Sequence, residues 1–298
     1  MQHSLTVLAH NTLFHAAKTA IIENAEENRD IIAHMHCITA PHSADWKTII
    51  PTSSTLSLTT AQYQLAARLN LGLKPYSHLN SDCRLCYPEI NNRLASDPYH
   101  FLSCSSLKPR ELTQRHNAIL ETLDRFFKYA GAITDPEPAG LTGNSRIRPD
   151  LQVTLPGHHY LIDVCVRHPL CPSHIRTAAT KPLAATINAE NGKYAKYDSL
   201  ARSVNAEFVP FVVETTDGIT KTSSTLLNNI TLACSEHQSL WSSQELQKEL
   251  YASISVAIQR GNAIAMTAGY HWNISSSNII HRPQPFIDPQ RLANIAAA

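Results

Sequence analysis

Apolar residues recur at helical spacing between Glu111 and Ala130. Leu112, Ile119, Leu120, Leu123, Phe127 and Ala130 fall along one side, and Gly131 is a natural stop. The period then changes. Ala132–Pro138 predicts a short strand whose prolines confine it to a sheet edge. RPDLQVTLPGHHYLIDV, from Arg148 to Val164, predicts a hairpin with arms at about Pro149–Leu155 and His159–Arg167 around a Pro156-Gly157 turn. A helical stretch from about Thr177 to Asn205 follows, with Pro182 and Gly192 as candidate breaks. EFVPFVVETT, Glu207 to Thr216, predicts another strand, and helices fill the chain from Thr220, notably Ser243–Ala268, before a Pro-rich tail. Upstream, Leu58–Leu73 carries good helix formers behind a threonine start signal. The rest of residues 1–75 mixes helical patterns with Ser/Thr-rich loops, and Ser81–Ser106 is loop-rich. The order from Glu111 is helix, three strands, helix, strand, helix, an α/β core whose last strand is reached by a helical crossover.

The hairpin raises a chemical question. Alternation puts Leu151, Val153, Leu155, Tyr160, Ile162, Val164 and Val166 on one apolar face. Asp150, Gln152, Thr154, Leu161, Asp163 and Cys165 take the other. A Pro156-Gly157 turn sets Asp150 opposite Asp163, with Cβ atoms roughly 5 Å apart. Two carboxylates this close repel unless a proton or cation lies between them, and Mg²⁺ (or Mn²⁺) prefers such oxygen ligands. The plain alternative is a solvated face with two unrelated aspartates. The register decides: a slip of one residue sends the pair to opposite faces.

Cys83-x2-Cys86-x13-His100-x3-Cys104 supplies four N/S ligands in two close pairs, which suits a closed tetrahedral Zn²⁺ site. Seven cysteines, an odd number, argue for a reducing compartment with clustered cysteines as metal ligands. Cys37, Cys165, Cys171 and Cys234 have no such spacing. A net charge of +1 gives no global vote for nucleic acid. Locally, Arg84, Arg93, Lys108, Arg110 and Arg115 make the cysteine region basic enough to contact phosphate. The alternative is a zinc-stapled connector without a ligand. The chain contains no run of 18 apolar residues, and its N-terminus lacks the pattern of a secretory signal, so neither membrane nor export is expected.

Pro149-Asp150, twelve residues, then Asp163 in a strand resembles the PD-(D/E)XK restriction-like nuclease core. With Gln114-Arg115-His116-Asn117, Arg148-Pro149-Asp150, Asp163-Val164 and Lys193-Tyr194-Ala195-Lys196-Tyr197, the ordered set is similar to the C-terminal endonuclease of site-specific non-LTR retrotransposons. In that family a Cys-Cys-His-Cys segment precedes the nuclease, as Cys83 to Cys104 does here. WKTIIPTSSTLSLTTAQYQLAARLNLGL resembles the linker behind the polymerase, and IQRGNA (Ile258 to Ala263) its far end. The resemblance implies a helical linker over 1–78, a zinc-binding segment over 79–108, a restriction-like core over 109–236 and C-terminal helices with a tail over 237–298. It implies a DNA target, the element's RNA as a further partner, and a nuclear location. No Tyr/Phe-x-Asp-Asp polymerase motif occurs, so the chain reads as a C-terminal fragment of such an element.

One departure matters. The commoner nuclease pattern has a lysine two residues after the second acid, where this chain has Cys165. A neutral thiol cannot replace an ammonium that polarises phosphate or water. In the retrotransposon branch the lysine comes from the next helix. Lys193 fits, sharing a stripe with Tyr197, Leu200 and Val204, and Lys196, off that stripe, is second choice. Either could instead be a solvated lysine. Around the acids, Arg115 is a candidate phosphate grip, His116 a candidate site residue or a core histidine, and Glu137 a third acid or a surface carboxylate; Arg148 flanks the motif. The expected activity is metal-dependent nicking of target DNA to prime reverse transcription. The rivals are a non-catalytic nucleic-acid-binding remnant and a stand-alone resolvase-like nuclease.

Overall fold

A computed structural model of the chain describes residues 19, 28–43, 45–76, 82–86, 93–141, 147–238 and 240–275. The Pro-rich tail and most of the N-terminal stretch lie outside the described residues.

Helix α1 (Arg29–Ile38) is followed by α2 (Thr60–Asn70). Thr59 starts α2 with a reciprocal cap: its side chain accepts from the Gln62 amide while the Gln62 side chain accepts from its own. A short α3 (Arg93–Ser96) and three tight turns lead to α4 (Thr113–Tyr129). The sheet then begins with β1 (Ile133–Pro136), β2 (Leu151–Leu155) and β3 (His158–Arg167). Pro182 ends the short α5 (Ile175–Ala178), and the chain turns through Leu183 at φ 62° into α6 (Ala184–Ser203), which runs unbroken past Gly192. Strand β4 (Glu207–Glu214) closes the sheet, followed by α7 (Lys221–His237) and the 33-residue α8 (Ser243–Ser275).

The sheet order is β1-β2-β3-β4, antiparallel except for the parallel β3–β4 pair. Both edges hold proline, Pro136 in β1 and Pro210 in β4, where the missing N–H can face away from the ladder. The hairpin turns at Pro156-Gly157 and pairs Leu151 with Ile162 through Leu155 with His158. One sheet face buries Leu151, Val153, Tyr160, Ile162 and Val164 against α4, α7 and the first half of α8. The other buries Leu161 and Phe208 against Tyr197, Leu200 and Ala201 of α6. Helices therefore cover both faces, and the alternation seen along the hairpin is the division between two cores. The protein is mixed α/β with a four-stranded sheet. No helix among the described residues is long and apolar enough to cross a membrane.

Helix α8 joins the parts. Leu250 and Ile254 sit in the sheet core, while Ala263 and Met266 pack with Leu65 and Leu69 of α2 and with Tyr99 and Leu102. Its Gln259-Arg260-Gly261-Asn262 segment reaches three neighbours. Arg260 donates to the Ser54, Thr55 and Ser57 carbonyls, at 2.7 Å for Ser57. Gly261 lets α4 approach: a Cβ there would lie 2.5 Å from the Cβ and Cγ of Arg115. Asn262 accepts from Arg115 at 2.8 Å and donates to the Thr215 carbonyl at 2.7 Å. The IQRGNA motif thus has a packing role that ties the linker, the first core helix and the end of β4 together.

Candidate functional site

Asp163 lies mid-strand in β3, on the α6 side of the sheet, and is 3% exposed. Such a carboxylate must be paired or hydrogen-bonded. The partner comes from α6. The apolar stripe of Tyr197 and Leu200 packs on the sheet, which turns Lys193, one helical turn earlier, onto Asp163, and its ammonium donates to Asp163 Oδ2. Lys196 sits on the exposed side of α6, lies over the Tyr197 ring at 4.4 Å and donates to the Tyr197 hydroxyl at 2.7 Å, and among the described residues it forms no ion pair with either acid. Of the two lysines, Lys193 is the one at the acidic face. The Tyr197 hydroxyl in turn donates to the Arg148 carbonyl at 2.9 Å. Burial, followed by a hydrogen bond with Asp163 and the charges of Asp163 and Asp150, holds that phenol above its ordinary range.

Asp150 stands just before β2. The expected facing pair is not formed by regular ladder geometry. The Asp150 amide donates to the Ile162 carbonyl at 2.9 Å, so the regular pairing stops at Leu151. Pro149, with no N–H, cannot extend it. What brings Asp150 to the same end of the sheet is its side chain: Oδ2 accepts from the Val164 amide at 2.6 Å, next to Asp163 in the chain. The same oxygen lies 3.0 Å from His116 Nε2. Among the described residues, no hydrogen bond reaches Oδ1 of Asp150.

His116 is therefore neither a core histidine nor a bystander. Burial alone would favour its neutral ring, but the bond to Asp150, that carboxylate's charge, Asn117 and the more distant Asp163 outweigh burial and raise its pKa above the ordinary value. Glu137 is exposed; its amide donates to the Asp150 carbonyl at 2.9 Å and its carboxylate pairs with Arg148 at 2.8 Å. Both residues stand at the rim, tied to each other. Arg115 corrects the expectation of an exposed phosphate grip. It is 4% exposed, and its two terminal nitrogens donate to Asn262 and, at 3.2 Å, to the Leu102 carbonyl. It braces α4 against α8, and burial lowers its pKa to about 10.

The second centre is formed by Cys83, Cys86, His100 and Cys104. All four are buried, with ligand atoms within 4.8 Å of one another. Sulfur and nitrogen at this separation can close on a tetrahedral ion bound at about 2.0–2.3 Å. Cys86 Sγ lies 3.2 Å from His100 Nε2, and Asp97 stands 3.9 Å from the other ring nitrogen, where it can orient the ring. Cys83, hydrogen-bonded to Cys104 and buried, is pushed up to about 12, while the same contact lowers Cys104. The cluster can bind a structural metal such as zinc. Among the described residues it is the one group of three or more His, Cys, Asp or Glu with this convergence, so Asp150 and Asp163 do not form a pre-closed cage. All seven cysteines are free thiols.

An open cleft of about 930 Å³ links the two centres, lined by His100, Lys108, His116, Arg167, His168 and Lys193 among others. Arg167, His168 and His174, just beyond Asp163 in sequence, were not singled out by their spacing; the alternation that places Cys165 beside Asp163 continues to Arg167 and is the signal that could have found it. The chain matches no protein-family model, and no curated protein matches it.

Proposed function

We propose that this chain is a metal-dependent DNA endonuclease with a PD-(D/E)XK-like core, using Asp150, Asp163 and Lys193. The observation that carries the reading is Lys193 from α6 seated on Asp163, where the hairpin itself offers only Cys165. Buried carboxylate, second carboxylate and ammonium at one sheet end form a compact set suited to phosphodiester hydrolysis. We take Asp150 and Asp163 as joint oxygen donors to a hard cation, supported by Asp150, whose Oδ1 receives no hydrogen bond from the described residues while Oδ2 is anchored. Bound there, Mg²⁺ or Mn²⁺ would supply Lewis acidity and a water acidified toward neutrality.

The chain's own residues have distinct roles. Asp150 and Asp163 are the oxygen donors. Lys193 is the cation available to negative charge developing on a phosphate at this site. His116 and the Val164 amide position Asp150. We read the Cys83, Cys86, His100 and Cys104 centre as structural zinc, because no ligand position is left open. By the sequence likeness, the nicked strand would be a target-DNA strand that primes reverse transcription, with the element's RNA as a further partner in the nucleus.

Nicking of supercoiled plasmid tests the reading. The wild type should nick in Mg²⁺ or Mn²⁺ and not in EDTA, and Asp150→Ala and Lys193→Met should each abolish nicking. Retained nicking in Asp150→Ala overturns the assignment. DNA binding without cleavage by the wild type in either metal favours the non-catalytic rival.

A further inference from the structure

The cleft between the Cys/His centre and the sheet is lined by cations whose partners are few. Lys108, Arg115, Arg167 and Lys193 line it, with Asp97 and Glu137 as its only carboxylates among the described residues. Glu137 is paired with Arg148, and Asp97 accepts from the Tyr99 amide at 3.1 Å beside His100. Lys193 is held by Asp163 and Arg115 by Asn262 and Leu102. Arg167 differs: among the described residues its guanidinium makes no hydrogen bond or ion pair, and its Nε is buried without a partner.

A second group in the cleft is also unsatisfied. His168 is 3% exposed and lines the same space. Its Nδ1 lies 2.9 Å from the Thr215 hydroxyl, while its Nε2 has no hydrogen-bond partner and stands 4.0 Å from Oδ1 of Asp97. Burial and the charges of Arg115, His100 and His174 lower its pKa to about 3, so the ring is neutral and can act as a dipolar partner without adding charge. Burying a polar group without a hydrogen bond is unfavourable, so such a group in a native fold needs a reason, and a ligand is one.

Geometry identifies the ligand. Asp163, Cys165 and Arg167 alternate along β3 and project from the same face. Four residues of strand separate Arg167 from Asp163 by roughly 13 Å. A nucleic-acid strand carries a charge every 3.4 Å or so along a helix axis and less densely when extended, so a strand cut at Asp163 would bring a phosphate only a few nucleotides away past Arg167.

We propose that Arg167, with Lys108 and His168 Nε2 on the same cleft, forms a subsite for a phosphodiester a few nucleotides from the bond cleaved at Asp150 and Asp163. The inference rests on the endonuclease reading for its position along the strand. The full chain is titrated against a fluorescein-labelled single-stranded DNA 20-mer without added Mg²⁺ or Mn²⁺ and without chelator, where cleavage is off and the Cys/His centre keeps its metal, across a potassium chloride series. Arg167→Ala should weaken binding about five- to twenty-fold and flatten the log K versus log salt slope by about 0.7, the share of one phosphate contact on a single strand. Arg167→Lys should restore the slope, and Lys108→Ala, at an exposed position, should give a similar loss without any risk to the fold. Unchanged affinity and slope in both Arg167→Ala and Lys108→Ala, or no binding by the wild type, overturns the subsite. Arg167-dependent binding by a wild type that nicks nothing in Mg²⁺ or Mn²⁺ would instead retain the subsite and reject the endonuclease.

Discussion

Gly269 offers a quantitative test of how the Cys/His centre is held. A Cβ at this position of α8 would lie 2.3 Å from Cγ of Phe101, 2.4 Å from Cδ1 and 2.7 Å from Cδ2. Carbon atoms rest at about 3.5–4.0 Å, so Gly269→Ala forces the ring back by more than about 1 Å. The ring has nowhere to go. Phe101 is fully buried, packs with Cys83, Cys86 and Cys104, and follows His100 in sequence. Overpacking a filled core costs about 1–3 kcal/mol, and a rigid ring meeting a helix backbone belongs at the upper end. At roughly 2 °C per kcal/mol for a chain of this size, the melting temperature should fall by about 6 °C. Zinc release to a chromophoric chelator should quicken in parallel, because the strained ring adjoins a ligand. Phe101→Leu should cost about 1 kcal/mol alone, yet in the Gly269→Ala background it should recover part of the loss, a coupling of about 1–2 kcal/mol. A Gly269→Ala protein that melts within about 1 °C of the wild type, or strict additivity in the double variant, would refute this account of the docking.

Zinc should be present stoichiometrically in the purified protein, with Cys83→Ser or Cys104→Ser losing it; because Cys83 is pushed up to about 12, metal uptake should release protons and weaken as pH falls, as a pH-stat titration would show. Glu214, buried and only partly offset by the Thr186, Thr216 and Cys37 contacts, has its carboxyl pKa raised from 4.5 to about 7. Its contribution to stability is therefore complete below about pH 4.5 and is lost as pH rises through 7; at about 1.4 kcal/mol per pH unit, Glu214→Gln should gain on the wild type by about 3 kcal/mol between those limits in urea melts, and a pH-independent difference would refute it. His116→Ala removes the side-chain partner of Asp150 and should lower nicking about ten- to hundred-fold, with more Mg²⁺ needed for half-maximal rate and no change in zinc content.

Much of the sheet was legible because local chemistry set it. Pro156-Gly157 fixed the turn, the turn fixed the register, and the alternation then divided Leu161 from Leu151 between two cores. Lys193 was legible for the same reason: Tyr197 and Leu200 mark the face of α6 that must be buried. Asp150 was less so. Its placement depends on a side-chain bond to the Val164 amide, which no periodicity encodes. Gly192 did not break α6, since a mid-helix glycine costs only about 1 kcal/mol and the buried faces of the helix exceed that. Arg115 was misread because its partner Asn262 lies 147 residues away. The cleft was invisible for a related reason: its walls come from segments joined only by tertiary packing, so no window of sequence contains them.

The long last helix has a consequence for how the chain is made. The sheet is complete once β4 emerges from the ribosome, with α4 already on one face, but α4 and α7 lack the helix that packs across them until Leu250 and Ile254 follow. At about 5–20 residues per second, the forty or so residues from the end of β4 to Ile254 take roughly 2–8 s to synthesise. Through that interval the nascent chain carries uncovered apolar sides of α4 and α7 and a Cys/His segment without its dock. Chaperone capture should therefore concentrate on chains stalled before α8, and a premature stop between Gln238 and Ser243 should yield aggregate or degraded protein rather than a smaller folded protein.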